Sequence, residues 1–128
     1  MESQRLIAEA KKHVGEFPLS KAGLTAGSVA AALVTEAGNI YTGICLDLAC
    51  GVGFCAEHAA IASMLQNRET VITKIVAVGR DKVLPPCGRC RELMVQVDRR
   101  NRECEVLLPD GTSRKLKELL PNSWLDEG

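Results

Sequence analysis

The sequence predicts an α/β protein, a three-layer α-β-α sandwich with a central mixed sheet. One observation is the order of the predicted elements, which runs helix, two strands, and then strands alternating with helices. A second is that 46% of the 128 residues are hydrophobic, which is enough for one buried core. We therefore expect a single domain over residues 1–128, without repeats or linkers. The pattern does not determine the order of the strands in the sheet.

The first half of the chain predicts one helix followed by a β-hairpin. Apolar residues recur at helical intervals over residues 6–17 and Pro18 follows, which predicts a helix of roughly four turns. Two apolar, partly β-branched runs at 29–35 and 39–46 predict strands joined by a short glycine-containing turn. Residues 48–53 contain two glycines and are expected to form a loop.

The second half predicts alternating helices and strands. Residues 59–65 are almost all small or apolar, which predicts a helix from residue 55 to about 67 that is buried on most sides. The β-branched run at 71–78 predicts a buried strand, and a further helix is expected after Pro86. A strand at 105–108, a turn and a short helix at 115–120 complete the prediction.

Charge and hydropathy exclude several classes of partner. Lysine plus arginine and aspartate plus glutamate number 16 each, so the chain lacks the basic surface expected of a protein that binds long nucleic acids. Aromatic residues for stacking on bases are few. No apolar run approaches the roughly 20 residues that span a bilayer, and the first residues do not resemble a secretory signal. We therefore expect a cytoplasmic protein that binds neither membranes nor long nucleic acids.

The six cysteines favour metal binding over disulfides in a reducing compartment. Residues 55–57 read Cys-Ala-Glu at the start of one predicted helix, and residues 86–90 read Pro-Cys-Gly-Arg-Cys at the start of the next. Cys87 and Cys90 share a helical face, and the amino end of a helix favours the thiolate form that zinc requires. Three thiolates leave the fourth position of tetrahedral zinc for water, which is typical of a catalytic site.

Alternatives to zinc are open for parts of this pattern. A Cys-x-x-Cys pair alone is also typical of a redox site or of core cysteines. The third cysteine and Glu57 favour a zinc site over these alternatives. A zinc site that includes both Cys55 and Glu57 must meet one geometric requirement. Cys55 and Glu57 point to different sides of an ideal helix, so they share a site only if the metal lies over the first turn.

These motifs resemble the signature of cytidine deaminase-like zinc enzymes, which is Cys-x-Glu followed by Pro-Cys-x-x-Cys. The resemblance covers residues 29–121, is closest to the free-nucleoside branch, and within it to blasticidin-S deaminases. It implies the cytidine deaminase-like fold, Zn²⁺ held by Cys55, Cys87 and Cys90, and Glu57 as the proton carrier. The implied reaction is hydrolytic deamination of the cytosine ring of a small nucleoside, with release of ammonia.

The resemblance also implies residues that contact the substrate. Asp47 is expected to bind a hydroxyl group, Lys82 a carboxylate, and Trp124 to stack on a ring. The full set of implied substrate contacts is Ser28, Asp47, Ala56, Lys82 and Trp124. The chain departs from cytidine deaminases at 45–47, which read Cys-Leu-Asp in place of Asn-x-Glu, and it lacks their aromatic residue near position 26. Cytidine, blasticidin S and other amino-substituted heterocycles therefore all stay open as substrates.

Three thiolates on a doubly charged ion leave one net negative charge. Arg89 and Arg91 are predicted to offset that charge. His58 is not expected to be a ligand, because a neighbour of Glu57 is turned about 100° around the helix. The three remaining cysteines are expected to be structural; they are Cys45, Cys50 and Cys104.

Two further expectations concern assembly and class. Relatives in the resembling branch are tetramers whose sites borrow residues from neighbouring subunits, so the resemblance implies a homo-oligomer. A non-enzymatic, zinc-stabilised domain is the alternative function, and Glu57 argues against it because a structural metal site needs no proton carrier.

Overall fold

The computed structural model describes residues 2–127 and shows helices on both sides of a mixed sheet. The helices are α1 (Glu2–Lys11), α2 (Ala56–Gln66), α3 (Gly88–Val97) and α4 (Leu116–Leu119). The strands are β1 (Phe17–Pro18), β2 (Thr25–Thr35), β3 (Ile40–Asp47), β4 (Ile72–Val78), β5 (Val83–Leu84), β6 (Glu105–Leu107) and β7 (Ser113–Lys115). Short 3-10 helices lie at Arg99–Glu103 and Trp124–Glu127. Within residues 2–127, every helix is too short or too polar to cross a membrane.

Strand β2 is an interior strand of the sheet. It pairs antiparallel with β3 on one side and with β4 on the other. β4 pairs in parallel with β6, where Ile75 lies opposite Val106, and β6 pairs antiparallel with β7. The short strands β1 and β5 extend β2 and β4 at one end of the sheet. One parallel pair among antiparallel pairs makes the sheet mixed, which confirms the prediction.

Alternate residues of the central strands face opposite helical layers. On one face, Leu6 and Ala10 of α1 pack in a cluster with side chains of β2 and β4 that include Ala32 and Val76. The other face is covered by α2 and α3, and its cluster is larger. Its fully buried members include Leu33, Ile61, Met64, Ile75 and Met94. Since successive side chains of a strand point to opposite faces, this alternation produces the predicted three layers.

The start of the chain differs from its prediction. α1 ends at Lys11, whereas the apolar periodicity predicted a helix through residue 17. Phe17 and Pro18 instead pair with β2, and the backbone N–H of Gly15 donates to the carbonyl of Gly27 over 2.8 Å. β2 in turn begins at Thr25, because Gly27 adopts φ +88 and leaves room for the Gly15 carbonyl where a side chain would clash. Tertiary pairing overrode the helical pattern here.

Candidate functional site

Three cysteine sulfurs converge where α2 and α3 begin. Cys55 caps α2 and Cys87 caps α3, both with extended backbone. The Sγ atom of Cys87 lies 3.4 Å from that of Cys55 and 3.4 Å from that of Cys90. The sulfurs of Cys55 and Cys90 lie within 4.8 Å of each other. Two helix amino ends therefore meet at one cluster of thiols.

The geometry of this cluster fits a zinc ion. Sulfur ligands of a tetrahedral zinc, each about 2.3 Å from the metal, are about 3.8 Å apart, close to the separations of the cysteine sulfurs. Cys90 is fully buried beneath the cluster and Cys87 is exposed, so the open side faces solvent. A fourth ligand position on that side is accessible to water.

The thiols differ in their readiness to ionise. Burial raises the pKa of Cys55 and that of Cys90. Burial acts in the same direction on Cys87, but hydrogen bonds to its sulfur, beginning with the backbone N–H of Cys90, outweigh it and lower its pKa. The amino end of α3 thus stabilises the Cys87 thiolate, as expected for N–H groups without partners in the helix.

Glu57 lies in the first turn of α2 beside the sulfurs. Only 5% of the residue is exposed, and this burial raises the pKa of its carboxyl group. A backbone hydrogen bond and one to Cys90 act in the opposite direction without cancelling the effect of burial. Cys55 and Glu57 both line the same cavity because Cys55 is a cap with extended backbone and not a helical residue. The geometric requirement stated from the sequence is therefore met.

The cavity beside Glu57 has a volume of about 390 Å³. Its opposite wall is formed by Ser28, Cys45 and Asp47 from the paired strands β2 and β3. The Ser28 hydroxyl donates to Oδ2 of Asp47 over 3.1 Å and lies 3.2 Å from the Cys45 sulfur. Ala56 also lines the cavity. The cavity therefore has one wall with the thiols and the Glu57 carboxyl group, and another wall with the Ser28 hydroxyl and the Asp47 carboxylate.

Other predicted substrate contacts lie outside this cavity. Lys82 is exposed in the turn that joins β4 to β5, where its carbonyl accepts from the Gly79 N–H over 2.8 Å. Trp124 is 70% exposed in the last 3-10 helix, and its backbone N–H donates to Glu92. Within residues 2–127 neither is among the residues that line the cavity. Any contact of these two with a substrate in this cavity would need a movement or a second subunit.

The two arginines predicted to offset charge have different surroundings. Arg89 lines the cavity at its exposed mouth. Arg91 instead donates to two backbone carbonyls, that of Pro86 from Nε over 3.0 Å and that of Leu119 from Nη1 over 3.0 Å. Arg91 thereby links the start of α3 to the end of α4, and these two of its donor atoms are occupied by backbone carbonyls.

His58 is the neighbour of the cluster that the sequence argument missed. Its Nδ1 lies 3.6 Å from the Cys90 sulfur, and with Cys55 and Cys90 it forms a second set of three possible metal donors. Burial and the charge of Arg89 lower its pKa, which favours the neutral ring. The position after Glu57 argued against contact, but the cluster lies at the helix end, where neighbouring side chains converge. A cap position for Cys55 would have indicated this contact, because it places the sulfurs over the end of the helix.

Comparisons with known proteins agree with this geometry. Residues 3–104 match the family model described as "Cytidine and deoxycytidylate deaminase zinc-binding region". A cytidine deaminase of Halalkalibacterium halodurans is 29% identical over 133 residues, covering 99% of this chain and 97% of that protein.

Solved structures show the same architecture. The crystal structure of cytidine deaminase from Mycobacterium tuberculosis superposes with a TM-score of 0.80 at 25% identity, covering 97% of this chain and 98% of that one. The cytidine deaminase of Burkholderia pseudomallei gives a TM-score of 0.75 at 29% identity, covering 97% and 100%.

The family match and the thiol cluster together show whether the chain is an enzyme or a non-enzymatic zinc domain. The match covers most of the chain, and the cluster offers the donors that zinc requires. The predicted cofactor, Zn²⁺, and the predicted enzyme class are thereby confirmed, and the alternative of a non-enzymatic domain is set aside. The chain belongs to the cytidine and deoxycytidylate deaminase zinc-binding family and is a zinc-dependent hydrolytic deaminase.

Proposed function

We propose that this enzyme deaminates the cytosine ring of a small nucleoside-type substrate, either cytidine-like or blasticidin S. The observation that carries the proposal is the buried Glu57 carboxyl group in one cavity with Cys55 and Cys87. The cavity, at about 390 Å³, has a volume suited to a small molecule. The relatives named above, all cytidine deaminases, support the same ring as substrate.

We assign the zinc to Cys55, Cys87 and Cys90. Zinc held by these residues would supply a water molecule whose pKa is lowered to near neutrality and which can therefore act as a nucleophile. Glu57 would accept a proton from the attacking water and deliver it to N3 of the cytosine ring, while the oxygen of that water bonds to C4. Glu57 would then take the proton of the new hydroxyl group on C4 and pass it to the 4-amino group, and the bond between C4 and that nitrogen breaks to release ammonia. One water is consumed, and a carbonyl oxygen replaces the amino group to give a uracil-type product.

The raised pKa of Glu57 suits this exchange of protons. A carboxylate whose pKa lies closer to neutrality accepts a proton more readily at neutral pH, and it can still release that proton in the next step. Burial is the main cause of the shift, so the same enclosure that excludes bulk water also tunes the proton carrier. The two functions of the pocket are therefore linked.

The opposite wall of the cavity is suited to the sugar side of the substrate. We propose that Ser28 and Asp47 bind hydroxyl groups there, because they already exchange a hydrogen bond and face the same space. Ala56 is proposed to contact the base through its backbone N–H, one of the unpartnered donors of the first turn of α2. Arg89 and Arg91 are proposed to offset the charge of the thiolates, with Arg89 at the cavity mouth.

Assembly and location complete the proposal. Lys82 and Trp124 are proposed to contact substrate in a homotetramer, the state implied by the resemblance, in which exposed residues of one subunit reach the site of another. The 70% exposure of Trp124 leaves it available for such a contact. We propose a single domain over residues 1–128, acting in the cytoplasm on small molecules and not on long nucleic acids.

A panel of amino-substituted heterocycles tests the substrate. Zinc-loaded enzyme is mixed with cytidine, blasticidin S, adenosine and guanine, and ammonia release is measured beside the zinc content. We expect turnover of the cytosine compounds alone, and the ratio of their kcat/KM values assigns the branch. Zinc-loaded protein that is inactive on both cytosine compounds would contradict the proposal.

A further inference from the structure

Arg91 fixes both peptide groups that flank Cys87. Its backbone N–H donates to the Cys87 carbonyl over 3.1 Å, in the first turn of α3, and its Nε donates to the Pro86 carbonyl over 3.0 Å. The first carbonyl belongs to the peptide group after the Cys87 Cα atom, and the second to the peptide group before it. Because peptide groups are planar, the two together determine φ and ψ of Cys87, which are −73 and 169. They therefore set the direction in which the Cys87 side chain leaves the backbone.

The same guanidinium group reaches a second element. Its Nη1 donates to the Leu119 carbonyl over 3.0 Å. Leu119 ends α4, and the last carbonyls of a helix have no partner within it. The Ser123 N–H, which would be the next helical donor to Leu119, instead donates to Asp126 over 2.9 Å. α4 is itself anchored through the fully buried Leu116, so Arg91 ties the start of α3 to a fixed helix.

Cys87 is the assigned zinc ligand that packing holds least. Cys90 is buried and Cys55 is half-buried, whereas Cys87 is exposed. The segment before Cys87 also has few backbone donors, since its two prolines have no N–H group. The position of the Cys87 sulfur therefore depends on the hydrogen bonds that this segment accepts.

The geometry of the Arg91 side chain can be distinguished from its charge. Arg91 is half-buried, and in the part of the chain that the structure describes it forms no ion pair with a carboxylate. A guanidinium group is planar with its N–H donors in a rigid arrangement, so it can hold two carbonyls at fixed positions. A lysine ammonium group is a compact point charge on a flexible stem. A change to lysine therefore keeps the charge and removes the geometry.

We propose that Arg91 is a positioning residue for the metal site, which holds the Cys87 backbone between α3 and α4 so that the Cys87 sulfur faces the other two before zinc binds. The inference rests on the proposed function, through its assignment of zinc to the three cysteines. It differs from the charge offset proposed for the same arginine. An offset needs only a nearby cation, whereas positioning needs both side-chain hydrogen bonds to the carbonyls.

Zinc affinity measured without substrate tests this role. Metal-free wild-type enzyme, Arg91→Lys and Arg91→Gln are compared by competition with a chelator, at a temperature where circular dichroism shows each protein to be folded. We expect both variants to bind zinc about 10- to 100-fold more weakly, the typical effect of losing a group that orients a metal ligand. Co²⁺ bound in place of zinc should show weaker visible absorption bands in both variants, because these bands report tetrahedral thiolate coordination.

Arg91→Lys decides between positioning and charge. If only the charge mattered, lysine would keep the wild-type zinc affinity and glutamine alone would lose it. We expect lysine to lose nearly as much affinity as glutamine, because neither side chain can hold both carbonyls. Since lysine keeps the charge and a similar length, its result is sufficient should the glutamine variant not fold.

Arg102→Lys and Arg102→Gln are the matched controls. Arg102 is also half-buried and also fastens the C-terminal segment, since it donates to the Ser123 hydroxyl over 3.3 Å and pairs with Asp126. Its partners do not include residues 86–90. These control variants should lose unfolding free energy while their zinc affinity and their Co²⁺ spectrum stay those of the wild type.

Two results would overturn the positioning role. One is wild-type zinc affinity with a wild-type Co²⁺ spectrum in Arg91→Lys, and the other is an equal loss of zinc affinity in the Arg102 variants. Failure of the proposed function is a separate result, measured as the absence of cytidine and blasticidin S deamination by zinc-loaded wild-type enzyme. An enzyme that deaminates cytidine, and whose Arg91→Lys variant binds zinc normally, would retain its function and lose the positioning role.

Discussion

At the scale of a single residue, Glu57 is notable because its ionisable carboxyl group is almost completely buried. An ionised carboxylate in an apolar setting is costly, so burial raises its pKa, as the surroundings of Glu57 do. A carboxylate with a purely structural role is usually paired with a cation, and within residues 2–127 Glu57 forms no ion pair. The enclosure of Glu57 is consistent with the proton transfer that we propose for it.

Glu57→Gln tests that use. The amide has nearly the same shape but cannot carry the proton, so kcat/KM should fall by about 10³-fold. Zinc content should stay unchanged, and the melting temperature should be equal or higher because a buried ionisable group is removed. Activity is measured from the loss of cytosine absorbance, and metal by atomic spectroscopy. A fall of only a few-fold with full zinc content would show that Glu57 is not the proton carrier.

His58 is a second residue whose contacts predict a measurable effect, in this case on the affinity for zinc. Its ring lies within hydrogen-bond distance of the Cys90 sulfur and stacks on Phe54 with ring centroids 6.4 Å apart. Groups that orient a metal ligand typically contribute 10- to 100-fold to metal affinity, so His58→Ala should weaken zinc binding by about that factor. Competition with a chelator measures it. His13→Ala, which changes an exposed histidine after α1, is the control, and equal affinities in both variants would refute the role.

At the scale of elements, the approach of α2 to β3 determines where the site forms. Gly43 lies in β3 directly against α2, and a Cβ atom there would lie 2.4 Å from the Ala60 backbone nitrogen and 2.5 Å from the Ala59 Cβ. Backbone atoms cannot yield as a flexible side chain does, so only glycine permits this distance between helix and strand. The position of Cys55 and Glu57 relative to the β2 and β3 wall follows from this contact.

Gly43→Ala should therefore affect both stability and activity. Overpacking at a helix–sheet contact typically costs 1–3 kcal/mol, and we expect about 2 kcal/mol of lost unfolding free energy. Because α2 must shift, kcat/KM should fall more than stability alone explains at a temperature where the variant is folded. Urea unfolding and steady-state kinetics measure these effects. Gly15→Ala, where no atom lies within 4 Å of the added methyl group, is the matched control for stability. Similar unfolding free energies for the two variants would contradict this account.

At the scale of the whole molecule, the proposed metal site joins parts of the chain that are distant in sequence. Cys55 caps α2, and Cys87 and Cys90 begin α3 after strand β4 has crossed the sheet. A bound ion that bridges these helices stabilises the folded chain alone, since the unfolded chain does not bring the sulfurs together. The site is therefore expected to contribute to stability as well as to catalysis.

Removal of zinc should lower the melting temperature by about 10 °C, the effect of a few kcal/mol in a domain of this size. Calorimetry before and after dialysis against a chelator measures the shift, and added zinc should reverse it. Cys55→Ser should reproduce the loss of metal, whereas Cys50→Ser, which changes an exposed loop cysteine, should bind zinc normally. A melting temperature that does not change on removal of zinc would contradict a bridging role.

The sequence by itself determined the layer architecture and the chemistry of the site. Periodicity distinguished strands from helices over most of the chain, and the Cys-Ala-Glu and Pro-Cys-Gly-Arg-Cys motifs predicted zinc, because ligand type and spacing are local properties. The prediction of Glu57 as the proton carrier came from the family resemblance of these motifs. Local patterns could not predict contacts that depend on close approach between distant segments. α1 was therefore predicted too long, β5 and β7 were not predicted, and His58 was not expected at the sulfurs.

Only the tertiary structure decided which side chains share a space. It joined Ser28 to Asp47 across two strands, directed two donor atoms of Arg91 to backbone carbonyls, and left Lys82 and Trp124 outside the catalytic cavity. It also opened a second cavity between α1 and the turn after β4. These features depend on strand register and on the seating of helices on the sheet, which are set by packing over the whole chain and not by the pattern of any one segment.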